Sequence, residues 1–148
     1  MAYKGKYKLR KPEKYAGKKD EVVFRSLWER QVFRWLEDQD DVVEWVSEEV
    51  VIPYVCATDK KVHRYFIDIY YKTKDGKKYL IEIKPKKETV PPKTPAKKTK
   101  RYINEAMTYI KNQSKWKAAV EFAKDNGCEF HVWTEDTLKG LGIKLLTK

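Results

Sequence analysis

Histidine and cysteine are scarce in this chain of 148 residues, two of each, and their scarcity removes several kinds of chemistry. Cys56 and Cys128 stand far apart with no second pair and no ligand spacing, so they read as reduced structural thiols, with no zinc site and no disulfide framework. His63 and His131 have no partner at ligand spacing and read as packing or surface residues rather than a general base. No apolar run approaches the ~20 residues of a membrane span. The lysines near the N-terminus are not followed by a hydrophobic segment, so the expectation is a cytoplasmic protein with no membrane contact. Repeats are also missing. What is present is 41% hydrophobic residues, including five Trp and ten Tyr, which suffices for one core and makes a second domain unnecessary.

Charge of one sign dominates, and its placement is more informative than its total of +11. Residues 1–20 hold eight Lys/Arg against Glu13 and Asp20, residues 84–101 hold eight against Glu88, and the remainder is slightly acidic. Concentrated basic charge favours phosphate backbones through counterion release, largely without regard to base sequence. Residues 1–20 read as a mobile basic arm, with Tyr3, Tyr7 and Tyr15 interleaved among lysines, ahead of a single domain over residues 21–148. In the second cluster Lys86, Lys87, Lys97, Lys98, Lys100 and Arg101 are the candidate contacts to a DNA backbone.

Hydrophobic periodicity orders the elements. A first helix is expected over residues 27–38, with Trp28, Val32, Trp35 and Leu36 on one side. Residues 42–45 and 49–56 read as a strand region broken at Pro53. Three prolines within residues 90–95 exclude regular structure and predict a stiff linker, with Thr94 capping the next helix and Pro95 in its first turn. Two helices should follow. Tyr102, Ile103, Ala106, Met107 and Ile110 mark one, and Trp116, Ala119, Val120 and Ala123 the other, closed by Asn126-Gly127. A strand over residues 129–133 and a short helix opened by Thr134 complete an α/β layer fold with a mixed sheet.

Residues 64–71 and 79–84 carry the candidate chemistry. Both are rich in β-branched and aromatic residues and alternate as strands do, placing Ile81 and Ile83 on one face and Leu80, Glu82 and Lys84 on the other. Asp is disfavoured in strands, and Asp68 lies opposite the apolar set Tyr65, Ile67, Ile69 and Tyr71. The connection Thr73-Lys-Asp-Gly-Lys77 permits two hairpin registers. A two-residue loop sets Asp68 against Ile83; a three-residue loop with Gly76 left-handed sets it against Glu82. The second is preferred, because cross-strand neighbours on one face lie within about 5.5 Å at the β-carbon, near enough for two carboxylates to share a cation. Mg²⁺ takes oxygen ligands and keeps several waters, so Asp68, Glu82, the backbone carbonyl of Ile83 and a phosphate would satisfy it, with Mn²⁺ as a substitute. Lys84 would steady the charge that develops on the phosphate or orient the attacking water. Singly, each charge also reads as a solubilising surface group. Jointly, they suggest phosphodiester hydrolysis.

Asp68 with Glu82-Ile83-Lys84 resembles the signature of the PD-(D/E)XK, or restriction-endonuclease-like, superfamily, with Ile67 where the name has proline. Residues 24–29, 51–54, 64–68, 81–88 and 134–136, with the opening Met1-Ala-Tyr and residues 116–119, together resemble the head completion nucleases of T-even-type bacteriophages over nearly the whole chain. The chain is also similar to the nuclease subunit of heteromeric transposases. The resemblance implies a mixed central β-sheet flanked by helices and a Mg²⁺-dependent endonuclease acting on double-stranded DNA. It further implies a role in finishing packaged DNA ends before tail attachment, phage head, portal or neck proteins as partners, and a place in the host cytoplasm and the virion.

Glu29 has two readings. With Ser26 it satisfies the Ser-x-x-Glu capping box, in which the glutamate bonds back to the first helical amide. The resemblance instead implies that Glu29 reaches the active site as a further metal or water ligand. Two other functions fit the same residues: a virion structural DNA-binding protein that docks on the portal, and a repair or recombination nuclease acting on branched DNA. Cutting both strands with one site per chain calls for a homodimer or for sequential nicks.

Overall fold

Strand bending, more than strand order, decides where the polar groups of this protein meet. The computed structural model describes residues 4–146. In chain order the elements are β1 (Gly5–Lys6), β2 (Val23–Phe24), α1 (Leu27–Asp38), β3 (Val42–Ser47), β4 (Val51–Val55), β5 (Val62–Phe66), β6 (Ile69–Thr73), β7 (Lys78–Ile83), α2 (Lys100–Asp125), β8 (Cys128–Trp133) and α3 (Glu135–Gly140). The central sheet has the order β3-β6-β7-β8; its first three strands are antiparallel neighbours and β8 runs parallel to β7. This is the mixed sheet flanked by helices that the periodicity predicts.

Central strands covered on both faces lose the simple apolar–polar alternation. Ile69 and Ile81 pack with Val32, Phe33 and Leu36 of α1 and with Trp45 on one side, while Ile67 and Leu80 pack with Ala119 and Ala123 of α2 on the other. The α1 boundaries are those expected from periodicity, and Ser26 caps the helix by accepting from the Glu29 N–H at 3.2 Å.

The segment expected as one strand over residues 64–71 is two. β5 pairs with β4 in its own two-stranded sheet, whereas β6 lies in the central sheet, and Ile67 and Asp68 form the break. Opposite the break, Glu48 donates its N–H to the Asp68 carbonyl and Ile67 donates to Val50, so one extra residue sits in the β3–β4 chain. Glu48 has φ 54°, a left-handed conformation uncommon for a residue with a side chain. Together these make a β-bulge, a device that bends a strand and re-aims its side chains. Pro53 does not break its strand: β4 is an edge strand bonded to β5 alone, and a proline is tolerated there.

Three further expectations are corrected. The two helices after the proline segment are one, α2, because residues 111–115 hold neither glycine nor proline to interrupt it. Its N-cap is Thr99, which accepts from the Tyr102 N–H at 3.2 Å, rather than Thr94. Of the stretch read as a mobile arm, residues 4–20 are packed: β1 pairs with β2, and Tyr7 and Tyr15 are buried beside Trp45. Glu37, fully buried, accepts from the Tyr7 hydroxyl and from the N–H groups of Arg10 and Lys11. Gly17 lies so close to the Glu49 carboxylate that a β-carbon there would sit 1.8 Å from its oxygen. Tyr3 lies outside the described residues.

Candidate active site

The hairpin register places the two carboxylates. Ile69 pairs with Ile81 and Lys72 with Lys78, Thr73 donates its N–H to the Lys77 carbonyl, and Gly76 closes the turn at φ 86°. This is the three-residue loop, and carrying its register one step past β6 sets Asp68 against Glu82. Because β5 has turned away at the bulge, β7 has no strand partner on that side beyond Ile81 among the described residues. The Ile83 N–H exposed there donates to Asp68 Oδ2 at 2.8 Å. On the other side β7 stays paired with β8, and the Lys84 N–H donates to the Trp133 carbonyl at 3.0 Å. Asp68 is thus held at the point where the sheet splits.

Glu82 shares a face with Leu80, as the alternation predicts, but that face is covered by α2 and only 4% of the residue is exposed. Trp116 Nε1–H donates to Glu82 Oε2 at 3.3 Å. Tyr65 lies beside the same carboxylates, and burial first, then the charges of Glu82 and Asp68, pushes its phenol well above the usual range. Its hydroxyl is buried without a partner among the described residues.

Glu29 falls on the inward stripe of α1, one turn before Val32 and Phe33, and is buried. Ser26 supplies its half of the capping box, yet Glu29 Oε2 is buried with no hydrogen-bond partner among the described residues. Burial first, then the charges of Glu48 and Glu82, push its pKa up to about 7, against the opposing influence of Arg25. Asp68 is raised well above the usual carboxylate range by burial and then by Glu82 and Glu29, although the Ile83 amide pulls it back. Glu29, Asp68 and Glu82 therefore feel one another's charge, which joins α1 to the strand hairpin.

Like charges crowded in a low-dielectric setting call for a cation or a proton. Among the described residues, no three His, Cys, Asp or Glu side chains converge on one point as a finished metal cage. The donor set nonetheless fits a hard divalent ion: it is all carboxylate oxygen, mutually repelling, with the orphaned Glu29 Oε2 lacking any other partner. Asp68 and Glu82, with Glu29, are the residues that would hold such an ion.

Cations surround the carboxylates. Lys84 follows Glu82 on the same face, half-buried. Sequence reasoning missed Lys115, whose Nζ lies 5.4 Å from the centre of the Tyr65 ring and whose pKa is lowered by burial and by Lys84 while Glu82 opposes the shift. It also missed Arg25 and Glu48, which pair at 2.8 Å beside Glu29. No short motif marks these residues, because they reach the site from the β2–α1 turn, the bulge and the middle of α2. The resemblance at residues 116–119 was the one signal near Lys115.

The candidate DNA contacts are not equivalent. Lys87, Lys97, Lys98 and Lys100 are exposed. Lys86 is tied to α3, its Nζ 3.1 Å from Asp136 and its N–H donating to Glu135, and Arg101 pairs with Glu105 at 2.9 Å. Among the described residues no helix is long and apolar enough to cross a membrane.

Residues 39–135 match the model of the TnsA-like endonuclease N-terminal family. That span includes Asp68, Glu82 and Lys84 and excludes Glu29. A relative from Enterobacteria phage T4, "Head completion nuclease", is 45% identical over 148 residues, covering 97% of this chain and 99% of its own.

Proposed function

The chain belongs to the TnsA-like N-terminal endonuclease family, and from that premise we propose that it is a divalent-metal-dependent endodeoxyribonuclease acting in the completion of bacteriophage heads. The observation that carries the chemistry is the meeting of Glu29, Asp68 and Glu82 at the split in the sheet, where burial and the Glu82 charge raise both Glu29 and Asp68. The head-completion role rests on the name of the phage T4 relative, and finishing packaged DNA ends before tail attachment is the step we assign to it. Double-stranded DNA is the substrate, head, portal or neck proteins are the partners, and the host cytoplasm and the virion are the places of action. Cleavage of both strands calls for a homodimer or for two successive nicks.

Asp68 and Glu82, with Glu29 and the Ile83 carbonyl, would hold Mg²⁺ in this reading, and Mn²⁺ would replace it. The bound ion supplies Lewis acidity toward a phosphoryl oxygen and lowers the pKa of a water. The chain's own residues do the rest. The Ile83 N–H fixes the Asp68 carboxylate and Trp116 Nε1–H fixes Glu82, so neither must reorganise when charge develops. Lys84 neutralises charge on the phosphate undergoing attack, with Lys115 behind it. The exposed lysines 87, 97, 98 and 100 hold the flanking backbone.

Cleavage of supercoiled plasmid and linear duplex with Mg²⁺ or Mn²⁺, for the native protein, folded Asp68→Ala and Glu82→Ala, and an EDTA control, tests this reading. Metal-dependent nicking abolished by both substitutions is the expected result. DNA binding without cleavage under any of these conditions would favour a structural DNA-binding role.

A further inference from the structure

Beside α1, positive charge gathers without a matching acid. A cleft of about 350 Å³ between the N-terminal segment and α1 is lined by Lys6, Lys8, Arg10, Arg30 and Arg34, and no carboxylate shares the lining. Each cation has a local reason to be there. Lys6 and Lys8 alternate with Tyr7, whose ring is buried, so both leave the core on the same side of the chain. Arg30 and Arg34 are one helical turn apart and are neighbours on the surface of α1.

Arg10 fastens the two walls together. Its side chain donates to the Arg34 carbonyl at 3.1 Å and pairs with Asp38 at 3.0 Å, while its N–H donates to Glu37. The nearby acids are thereby engaged, and Lys6, Lys8, Arg30 and Arg34 have no ion pair among the described residues. Cations held together in one concave place repel one another, and a bound anion relieves that repulsion. The planar guanidinium forks of the two arginines match the oxygens of a phosphate in particular.

The cleft adjoins the candidate active site. Phe24 and Arg30 line it, whereas their chain neighbours Arg25 and Glu29 lie at the carboxylate cluster. Arg34 is about 7.5 Å beyond Glu29 along the α1 axis, the rise of about two nucleotides of one strand. α1 covers one face of the sheet, and the exposed lysines after β7 lead into α2 on the other.

We propose that this cleft seats a backbone phosphate of the DNA substrate on the α1 side of the active site, so that duplex is gripped from both faces of the sheet. The proposal rests on the nuclease reading for the place of cutting, while the phosphate site itself does not require it. The N-terminal segment then serves twice: Tyr7, Tyr15 and Arg10 fasten it, and Lys6 and Lys8 complete the cleft with the arginines of α1.

The test is the slope of log K against log salt for a blunt duplex without terminal phosphates, measured in EDTA so that nothing is cut. Arg30→Gln/Arg34→Gln and, separately, Lys6→Gln/Lys8→Gln should each lower the slope by about 1, the loss of one phosphate contact, at an unchanged melting temperature. Lys74→Gln/Lys77→Gln, which removes two exposed lysines beside the hairpin turn at the other end of β6 and β7, should leave the slope unchanged. Combined with neutralised Lys97, Lys98 and Lys100, the fall in a cleft variant should add to theirs, because the two surfaces hold different phosphates. An unchanged slope in both cleft variants, an equal fall in the hairpin variant, falls that do not add, or a fall seen only when the duplex carries terminal phosphates would each overturn the proposal. If Arg30→Gln/Arg34→Gln fails to fold, Lys6→Gln/Lys8→Gln, whose side chains are exposed, decides alone. Plasmid nicking by the native protein with Mg²⁺ reports separately on the nuclease reading: its absence, with the slope changes intact, would leave a DNA-binding cleft without the chemistry.

Discussion

Residues 1–20 and 84–101 carry nearly equal excesses of positive charge, yet in the structure residues 4–20 are anchored in the core by Tyr7 and Tyr15 while the second segment runs outside it. The difference lies in what accompanies the lysines. In the N-terminal segment Tyr7 and Tyr15 bury their rings against Trp45, and carboxylates of α1 and β4's approach, Glu37 and Glu49, accept from their hydroxyls. Basic groups there are partly used up: Arg10 pairs with Glu37 and Asp38, and Lys14 donates to the carbonyls of Glu37 and Gln39. Residues 84–98 have no aromatic anchor and contain four prolines, which keep the chain off the sheet and out of any helix. Charge count alone does not distinguish a structural strap from a phosphate-binding surface; the anchors do.

The sharpest way to break the comparison is to remove an anchor. Glu37→Ala would leave the Tyr7 hydroxyl and the N–H groups of Arg10 and Lys11 unmatched in a buried place, and should destabilise the protein by about 3 kcal/mol or more in urea unfolding. If the N-terminal segment were merely a solvated arm, the midpoint would not move. Neutralising Lys97, Lys98 and Lys100 is the converse experiment. Stability should hold, while the slope of log K for DNA against log salt should fall by about 2–3. Neutralising Arg10 and Lys14, which are engaged by groups of α1, should change that slope less per charge, and an equal change per charge would erase the distinction.

A smaller effect concerns pH. Glu29 titrates near 7 in the folded protein and at its ordinary carboxylate value when unfolded, so the folded state holds more protons between those values. Stability from this group is therefore present below its unfolded pKa and is lost as pH rises through about 7, by on the order of 1–3 kcal/mol, with Asp68 acting in the same direction. Melting temperatures of Glu29→Gln should fall less between pH 5 and 8 than those of the native protein. The smallest effect belongs to the exposed Arg101–Glu105 pair, for which Glu105→Ala should change stability by less than about 0.5 kcal/mol.

Local chemistry was legible in the sequence; long-range bending was not. The Asp75-Gly76 turn announced a hairpin, and requiring Asp68 to meet Glu82 chose the register the structure has. Ser26 announced the start of α1. The bulge at Glu48 left no such mark, because a glutamate in the left-handed region looks in sequence like any other glutamate. That one hidden feature divided a predicted strand into β5 and β6. The continuous α2 was missed for a related reason: the polar residues 111–115 interrupt the apolar spacing, while Lys115 and Trp116 are turned toward the site.

The central claim is that bending the sheet at Asp68 gathers carboxylates into a metal site. A crystal of the native protein grown with Mn²⁺, with data collected at the manganese absorption edge, tests it most directly. The account predicts an anomalous peak coordinated by Asp68 and Glu82, with Glu29 bound directly or through water. A peak elsewhere, or none at saturating Mn²⁺, would contradict it.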